Sequence, residues 1–188
     1  MTEDQQLIKR IIEGDMQAFK LLIKRNERLV AHMVAKIVSI EEDREELCQD
    51  VFLKVYDKLE TFNYQSKLST WIATIAYRTS LNHLQKKKIV TGMDDEKMLQ
   101  KQLNRLADTH TPETVMMDQD MKSYIVGLVD QLPMQYRTVI TLFHLEEMTY
   151  PEIAEITNMP TGTVKNYLFR GRKLLKEKLV SYKQMSIS

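Results

Sequence analysis

A chain of 188 residues, 43% of them hydrophobic, has room for one large or two small domains with ordinary apolar cores. The lone Cys48 leaves no disulfide framework, and no run of 18 apolar residues occurs, so a cytoplasmic protein without membrane insertion is expected. The acidic, polar start MTEDQQ carries no secretion signal pattern.

Formal net charge is only +1, but the charge is strongly segregated along the chain. Residues 1 to 60 hold ten Lys or Arg against thirteen acids, and residues 61 to 93 hold five against none. Residues 94 to 160 reverse this with five against twelve, and the segment from 161 to the end has seven against one. Two basic segments alternating with acidic ones suit two DNA-facing surfaces, with the acidic parts clear of phosphate or facing a basic partner. Most Gly and Pro fall at natural breaks, namely Gly14, Gly92, Pro112, Pro133, Pro160 and Gly162, and sustained period-two alternation is absent. An all-α fold is expected.

Leu7, Ile8, Ile11 and Ile12 have helical spacing, and Gly14-Asp15 reads as a stop followed by a new cap. Next comes a long apolar helix through Phe19, Leu22, Leu29, Met33 and Ile37, which should form the centre of the first domain. A third helix opens at Glu41-Glu42-Asp43, with Asp43 and Glu46 in capping-box spacing. Leu47, Val51, Phe52, Val55 and Leu59 share one arc of it, while Glu46, Gln49, Asp50, Leu53 and Asp57 share the other. That second arc is either a solvated face with a stray Leu or a docking face for a basic helical partner.

The stretch from Thr61 to Lys88 contains no acid and interleaves Phe62, Tyr64, Trp71 and Tyr77 with cations and amides. Flat rings for stacking and a positive path for phosphates are what unpaired bases require. Trp71 is the exception in that set, since a lone Trp more often packs in a core. From Ile89 to about Asp120 the pattern weakens, and a linker with room for one helix is expected. The second domain opens with Tyr124, Ile125, Leu128, Val129 and Leu132, breaks at Pro133, and resumes through Tyr136, Val139, Ile140, Leu142, Phe143 and Leu145.

From Thr149 to Lys178 the pattern is that of a DNA-binding helix-turn-helix. Thr149 and Glu152 form a capping box, Pro151 fits the first turn, and Asn158-Met159-Pro160 ends the helix with Thr161 placed to cap the next. On that second helix Val164, Leu168, Gly171, Leu175 and Leu179 make a buried stripe. The opposite arc presents Lys165, Asn166, Phe169, Arg172, Lys173 and Lys176, with Arg170 at its edge, as donors for phosphates and base edges.

Four segments in this order resemble the bacterial sigma factors of the extracytoplasmic-function type: GDMQAF, DREELCQDVFLKVYDKL, FNYQSKLSTWIATIAYRTSLNHLQKKK, and LPMQYRTVITLFHLEEMTYPEIAEITNMPTGTVKNYLFRGRKLL. The resemblance implies two small helical domains joined by a flexible linker, with divisions at 1–90, 91–119 and 120–188. It implies a protein that binds core RNA polymerase, directs it to promoters and helps melt them, with no cofactor, no metal and no catalysis of its own. Glu46, Gln49, Asp50 and Leu53 would then face polymerase. Asn63, Tyr64, Ser66, Lys67, Trp71, Arg78, Asn82 and Lys86 would serve the minus-ten element and its melted non-template strand. Arg137, Thr163, Lys165, Asn166, Phe169, Arg170 and Lys173 would serve the minus-thirty-five element, Arg137 through a phosphate. Such proteins are commonly held by an anti-sigma factor, which is a further partner that the resemblance admits.

This chain departs from the family pattern at several positions. Arg78 stands where many members have Asn, Asn82 where many have Asp, and Asn166 where Ser is usual, so promoter preference does not carry over. Glu147 and Asn158 replace glycines at turns of the second domain. A conventional helix-turn-helix regulator acting without polymerase is the competing reading, but it leaves the acid-free aromatic segment and the Leu53 face unused. An enzyme is disfavoured, because His32, His83, His110 and His144 are far apart and no Gly-rich phosphate loop occurs. An adaptor that binds polymerase without promoter preference is the third alternative.

Overall fold

The computed structural model describes residues 2–91 and 119–185. The described residues are helical with no strand, in two groups of four α-helices. Apart from its end residues, the expected linker lies outside the described residues, as does His110.

In the first group, α1 spans Glu3–Ile12 and is capped reciprocally by Thr2 and Gln5, with Glu3 and Asp4 at its positive end and Lys9 and Arg10 at its negative end. Gly14, at φ +91°, makes the stop, and the Asp15 carboxylate accepts from the Gln17 and Ala18 amides to start α2, Met16–Ile37. Of the four apolar residues expected on α1, Leu7, Ile8 and Ile11 are buried, whereas Ile12 is 47% exposed. Leu22, Val30, Met33 and Val34 put α2 at the centre, packed on α1, α3 and α4.

Helix α3 spans Glu41–Lys58 and ends in a 3-10 turn at Leu59–Thr61. The capping box expected at Asp43 does not form: Ile40 occupies the cap position, and its side chain has no acceptor for the first-turn amides. Asp43 lies inside the first turn, and its carboxylate is taken by His83 Nε2 at 3.1 Å and by the Lys87 ammonium. A long-range partner thus outcompetes the local one. Helix α4, Leu68–Thr91, follows the Phe62–Lys67 loop. It turns Thr70, Ala73, Ala76 and Ser80 inward, and these small side chains let α4 approach α2 closely.

The second group comprises α5, Gln119–Asp130, α6, Met134–His144, α7, Tyr150–Thr157, and α8, Thr161–Met185. Its core joins Leu128, Leu132, Val139, Leu142, Ile153, Ile156, Val164 and Leu168. Ile125, expected inside, is 41% exposed. The Thr149–Glu152 capping box forms as expected, and Asn158 closes α7 in the left-handed conformation at φ +54°. Glu147 also adopts the left-handed conformation, at φ +53°, so the turn a glycine would make is retained, with strain of about 1 kcal/mol. Helix α8 begins one residue earlier than expected: Thr161 is already helical, and the Pro160 carbonyl accepts from Thr163 and Val164.

The two groups touch. Helix α7 lies against α4, and α6 against α2. Their buried apolar residues belong to one continuous core, and polar pairs cross the contact: Lys67 Nζ with Glu152 at 2.8 Å, His32 with Glu146, and Lys36 with Asp130. Lys36 is itself buried, at 6% exposure, which makes its partner essential.

Candidate nucleic-acid interface

Helix α8 is positioned by the first part of its apolar stripe, since Leu175 and Leu179, expected to be buried with it, are only half-buried. Val164 and Leu168 are fully buried, and Gly171 meets α6 so closely that an added Cβ would lie 2.6 Å from Ile140 Cδ1. This fixes the opposite arc in solvent: Lys165, Asn166, Phe169, Arg170 and Lys173 are exposed, and Thr163 is half-buried. Phe169, at 69% exposure, is the most exposed large apolar side chain among the described residues. On a basic helix such a ring can meet a thymine methyl while the neighbouring cations bond phosphates or guanine edges.

An aromatic pair supports this arc from below. Phe143 and Tyr150 stack with centroids 5.2 Å apart at 15°. Lys165 Nζ lies 5.6 Å over the Tyr150 ring, and the Arg172 guanidinium 5.1 Å over Phe143. Arg172 also donates to His144 Nε2 at 3.1 Å, which requires a neutral imidazole. Burial, and then the Arg172 charge, push the His144 pKa down and favour that form. The periodicity of α8 could not reveal that Tyr150 and Phe143 hold these cations, because the partners come from different elements.

A second basic surface lies on the first group. Asn63, Tyr64 and Lys67 are exposed in the loop before α4, and Ser66 is half-buried. Tyr64 takes a left-handed backbone at φ +59°, while Asn63 Oδ1 accepts from the Gln65 amide at 3.2 Å. The buried Phe62 ring anchors this turn, with centroids 4.9 Å from Tyr64 and 5.3 Å from Trp71. Trp71 is half-buried against the core, so packing claims much of its ring while part remains accessible. Arg78, Asn82 and Lys86 are exposed further along α4.

Arg137 does not share this outward placement. It is partly buried between the groups, donating from Nε to the Lys36 carbonyl and from Nη1 to the Asp130 carbonyl at 3.1 Å. Its expected phosphate contact is therefore not available in this arrangement, because two backbone acceptors already hold the guanidinium. Lys67 is likewise engaged, by Glu152. The α3 arc behaves differently: Glu46, Gln49, Asp50 and Leu53 are all exposed, Leu53 by 62%. An apolar residue that exposed, ringed by acids and an amide, leaves an unpartnered mixed face.

Fold and surfaces together define a helical DNA-binding protein with a helix-turn-helix in its second helix group and a second basic, aromatic surface on its first. The chain matches the family described as Sigma-70 region 2 over residues 22–89 and that described as Sigma-70, region 4 over residues 122–175. It is 32% identical to the ECF RNA polymerase sigma-E factor of Haemophilus influenzae over 182 residues, covering 94% of this chain and 95% of that one. It is 30% identical to the RNA polymerase sigma-H factor of Pseudomonas aeruginosa, covering 94% of each chain. The chain belongs to the extracytoplasmic-function sigma factors and is a transcription initiation factor. Among solved structures, the fold is similar to the sigma factor RpoE of Bartonella quintana in complex with the anti-sigma factor NepR, with TM-score 0.62, 22% identity, and coverage of 86% of this chain and 96% of that one. It is also similar to CnrH in complex with the cytosolic domain of CnrY, with TM-score 0.63, 18% identity, and coverage of 95% and 97%. Among the described residues no helix is long and apolar enough to cross a membrane.

Proposed function

We propose that the chain binds core RNA polymerase in the bacterial cytoplasm through Glu46, Gln49, Asp50 and Leu53, and brings it to promoters through two DNA surfaces. Lys165, Asn166, Phe169 and Arg170 read the minus-thirty-five element in the major groove, with Thr163 and Lys173 beside them. Asn63, Tyr64, Ser66 and Lys67 receive an unstacked base of the melted non-template strand, Trp71 edges that pocket, and Arg78, Asn82 and Lys86 follow the minus-ten strand. The unstacking costs a few kcal/mol, which pocket stacking and the acid-free surroundings offset. The chain's own groups orient and hold DNA; bond making belongs to the polymerase. Functionally the chain divides at 1–90, 91–119 and 120–188, and an anti-sigma factor is a further partner.

The observation that carries this reading is the coexistence, on one chain, of the exposed acidic Leu53 face and two separate basic surfaces. A regulator that needs only duplex DNA has no use for the first or for the aromatic loop. Run-off transcription with sigma-free core polymerase, this protein and a pool of genomic fragments tests it. Defined starts sharing two upstream elements are expected. Duplex binding without any starts, also with polymerase from the source organism, would favour the conventional regulator.

A further inference from the structure

Helix α8 does not hold its cations alone. Lys165 and Arg172 lie two turns apart on it, about 10 Å along its axis. Lys165 Nζ sits 5.6 Å over the Tyr150 ring, Tyr150 stacks on Phe143 at 5.2 Å and 15°, and the Arg172 guanidinium sits 5.1 Å over Phe143. One two-ring stack, built from the end of α6 and the start of α7, therefore spans the turns that also bear Asn166, Phe169 and Arg170. Tyr150 has little freedom of its own: it is the first residue of α7, lies between the Thr149 cap and Pro151, and is half-buried.

The chemistry of the partner matters. A lysine ammonium sits on a flexible stem whose rotamer freedom is lost when it bonds a base edge. A ring face beneath it restricts that freedom before DNA arrives, as any preorganised contact does. A carboxylate in the same place would have to be displaced by phosphate, since both compete for the ammonium donors. The ring instead attracts the charge through its quadrupole and leaves donors for DNA. Among the described residues no carboxylate pairs with Lys165, so the ring is the group that aims it. Arg172 is held differently, since its Nε also donates to His144.

We propose that Tyr150, stacked on Phe143, is a positioning residue for minus-thirty-five reading: it acts through Lys165, aiming the ammonium, and so sets discrimination at the one base pair that Lys165 reads. This rests on the reading above, in which Lys165 faces the major groove. The signature of such a residue is local. Removing the ring blurs one position of the element, whereas a general loosening of the helix-turn-helix weakens every position alike.

The test uses holoenzyme assembled from core polymerase and the full chain, as wild type, Lys165→Met, Tyr150→Leu, Phe143→Leu and Tyr150→Phe, each chain checked for helicity by circular dichroism. Each holoenzyme selects from a pool of randomised duplexes that is sequenced before and after binding. Lys165→Met should flatten the preference at one base pair of the upstream element. Tyr150→Leu should weaken the preference at that same base pair by about two- to fivefold and leave the others unchanged. Phe143→Leu, which removes the ring under Tyr150, should act in the same direction, and Tyr150→Phe, which keeps the ring face, should retain the wild-type preference. In the free wild-type protein the Lys165 Hε protons should resonate upfield of those of the exposed Lys173 and Lys176, shielded by the ring. If Tyr150→Leu loses helicity, Phe143→Leu and this shift decide. A preference that Tyr150→Leu leaves unchanged, or lowers evenly at every position, would overturn the inference, as would a missing upfield shift; each leaves the sigma-factor reading standing. An unchanged profile with Lys165→Met, or no enriched sequence with the wild type, would instead reject Lys165 as a base reader and this inference with it.

Discussion

Replacing Glu152 by Gln removes the charge that pairs with Lys67 while keeping an amide oxygen that can still accept from the Thr149 backbone, as a capping box requires. Burial alone would raise the Glu152 pKa, but Lys67 and the backbone and hydroxyl of Thr149 outweigh it and hold the carboxyl at about 2. Lowering from 4.5 to about 2 corresponds to about 3 kcal/mol in favour of the folded, ionised form. The Lys67 side chain is 71% exposed, so solvent screening leaves about 1–2 kcal/mol. Because the folded pKa lies below the unfolded one, this stability is complete above about pH 4.5 and is lost as pH falls toward 2. Melting followed at 222 nm should place Glu152→Gln about 2–8 °C below wild type at pH 7, with the gap closing as pH is lowered from 5 to 3. Glu155→Gln, exposed on the same helix, should change stability by less than about 0.5 kcal/mol. A gap that is absent at pH 7, or constant with pH, would refute the assigned ion pair.

Other substitutions probe the remaining surfaces. Lys165→Ala and Arg170→Ala should each weaken binding to a minus-thirty-five duplex by roughly 1–3 kcal/mol while core polymerase binding stays intact; unchanged duplex affinity in fluorescence anisotropy would remove them from the reading helix. Asp50→Lys should do the reverse, and normal affinity for core in a pull-down titration would discard the α3 docking face. Gly171→Ala drives a methyl against Ile140 and should lower stability by about 1–3 kcal/mol, read as a lowered melting temperature. Glu147→Gly, which relieves a left-handed side chain, should raise it by about 0.5–1 kcal/mol.

Much of this protein was legible from local rules. Thr149 and Glu152 cap a helix because three residues separate them, Gly14 stops one because it accepts positive φ, and the α8 stripe follows from a period of 3.6. The exposure of Lys165, Asn166, Phe169 and Arg170, and of Glu46, Gln49, Asp50 and Leu53, follows from the same periodicity once the buried faces are known. These are properties of neighbours along the chain. What required the tertiary structure was every choice between a local partner and a distant one. Asp43 has capping spacing to Glu46, but its carboxylate goes to His83 and Lys87, forty and forty-four residues away. Arg137 has the chemistry of a phosphate contact, yet lies beside the Lys36 carbonyl, 101 residues distant. Lys67 looks like a DNA-facing cation and is paired with Glu152. Periodicity sets which face of a helix is wet, but a charge on that face pairs with whichever opposite charge folding brings nearest, and sequence separation does not encode that distance.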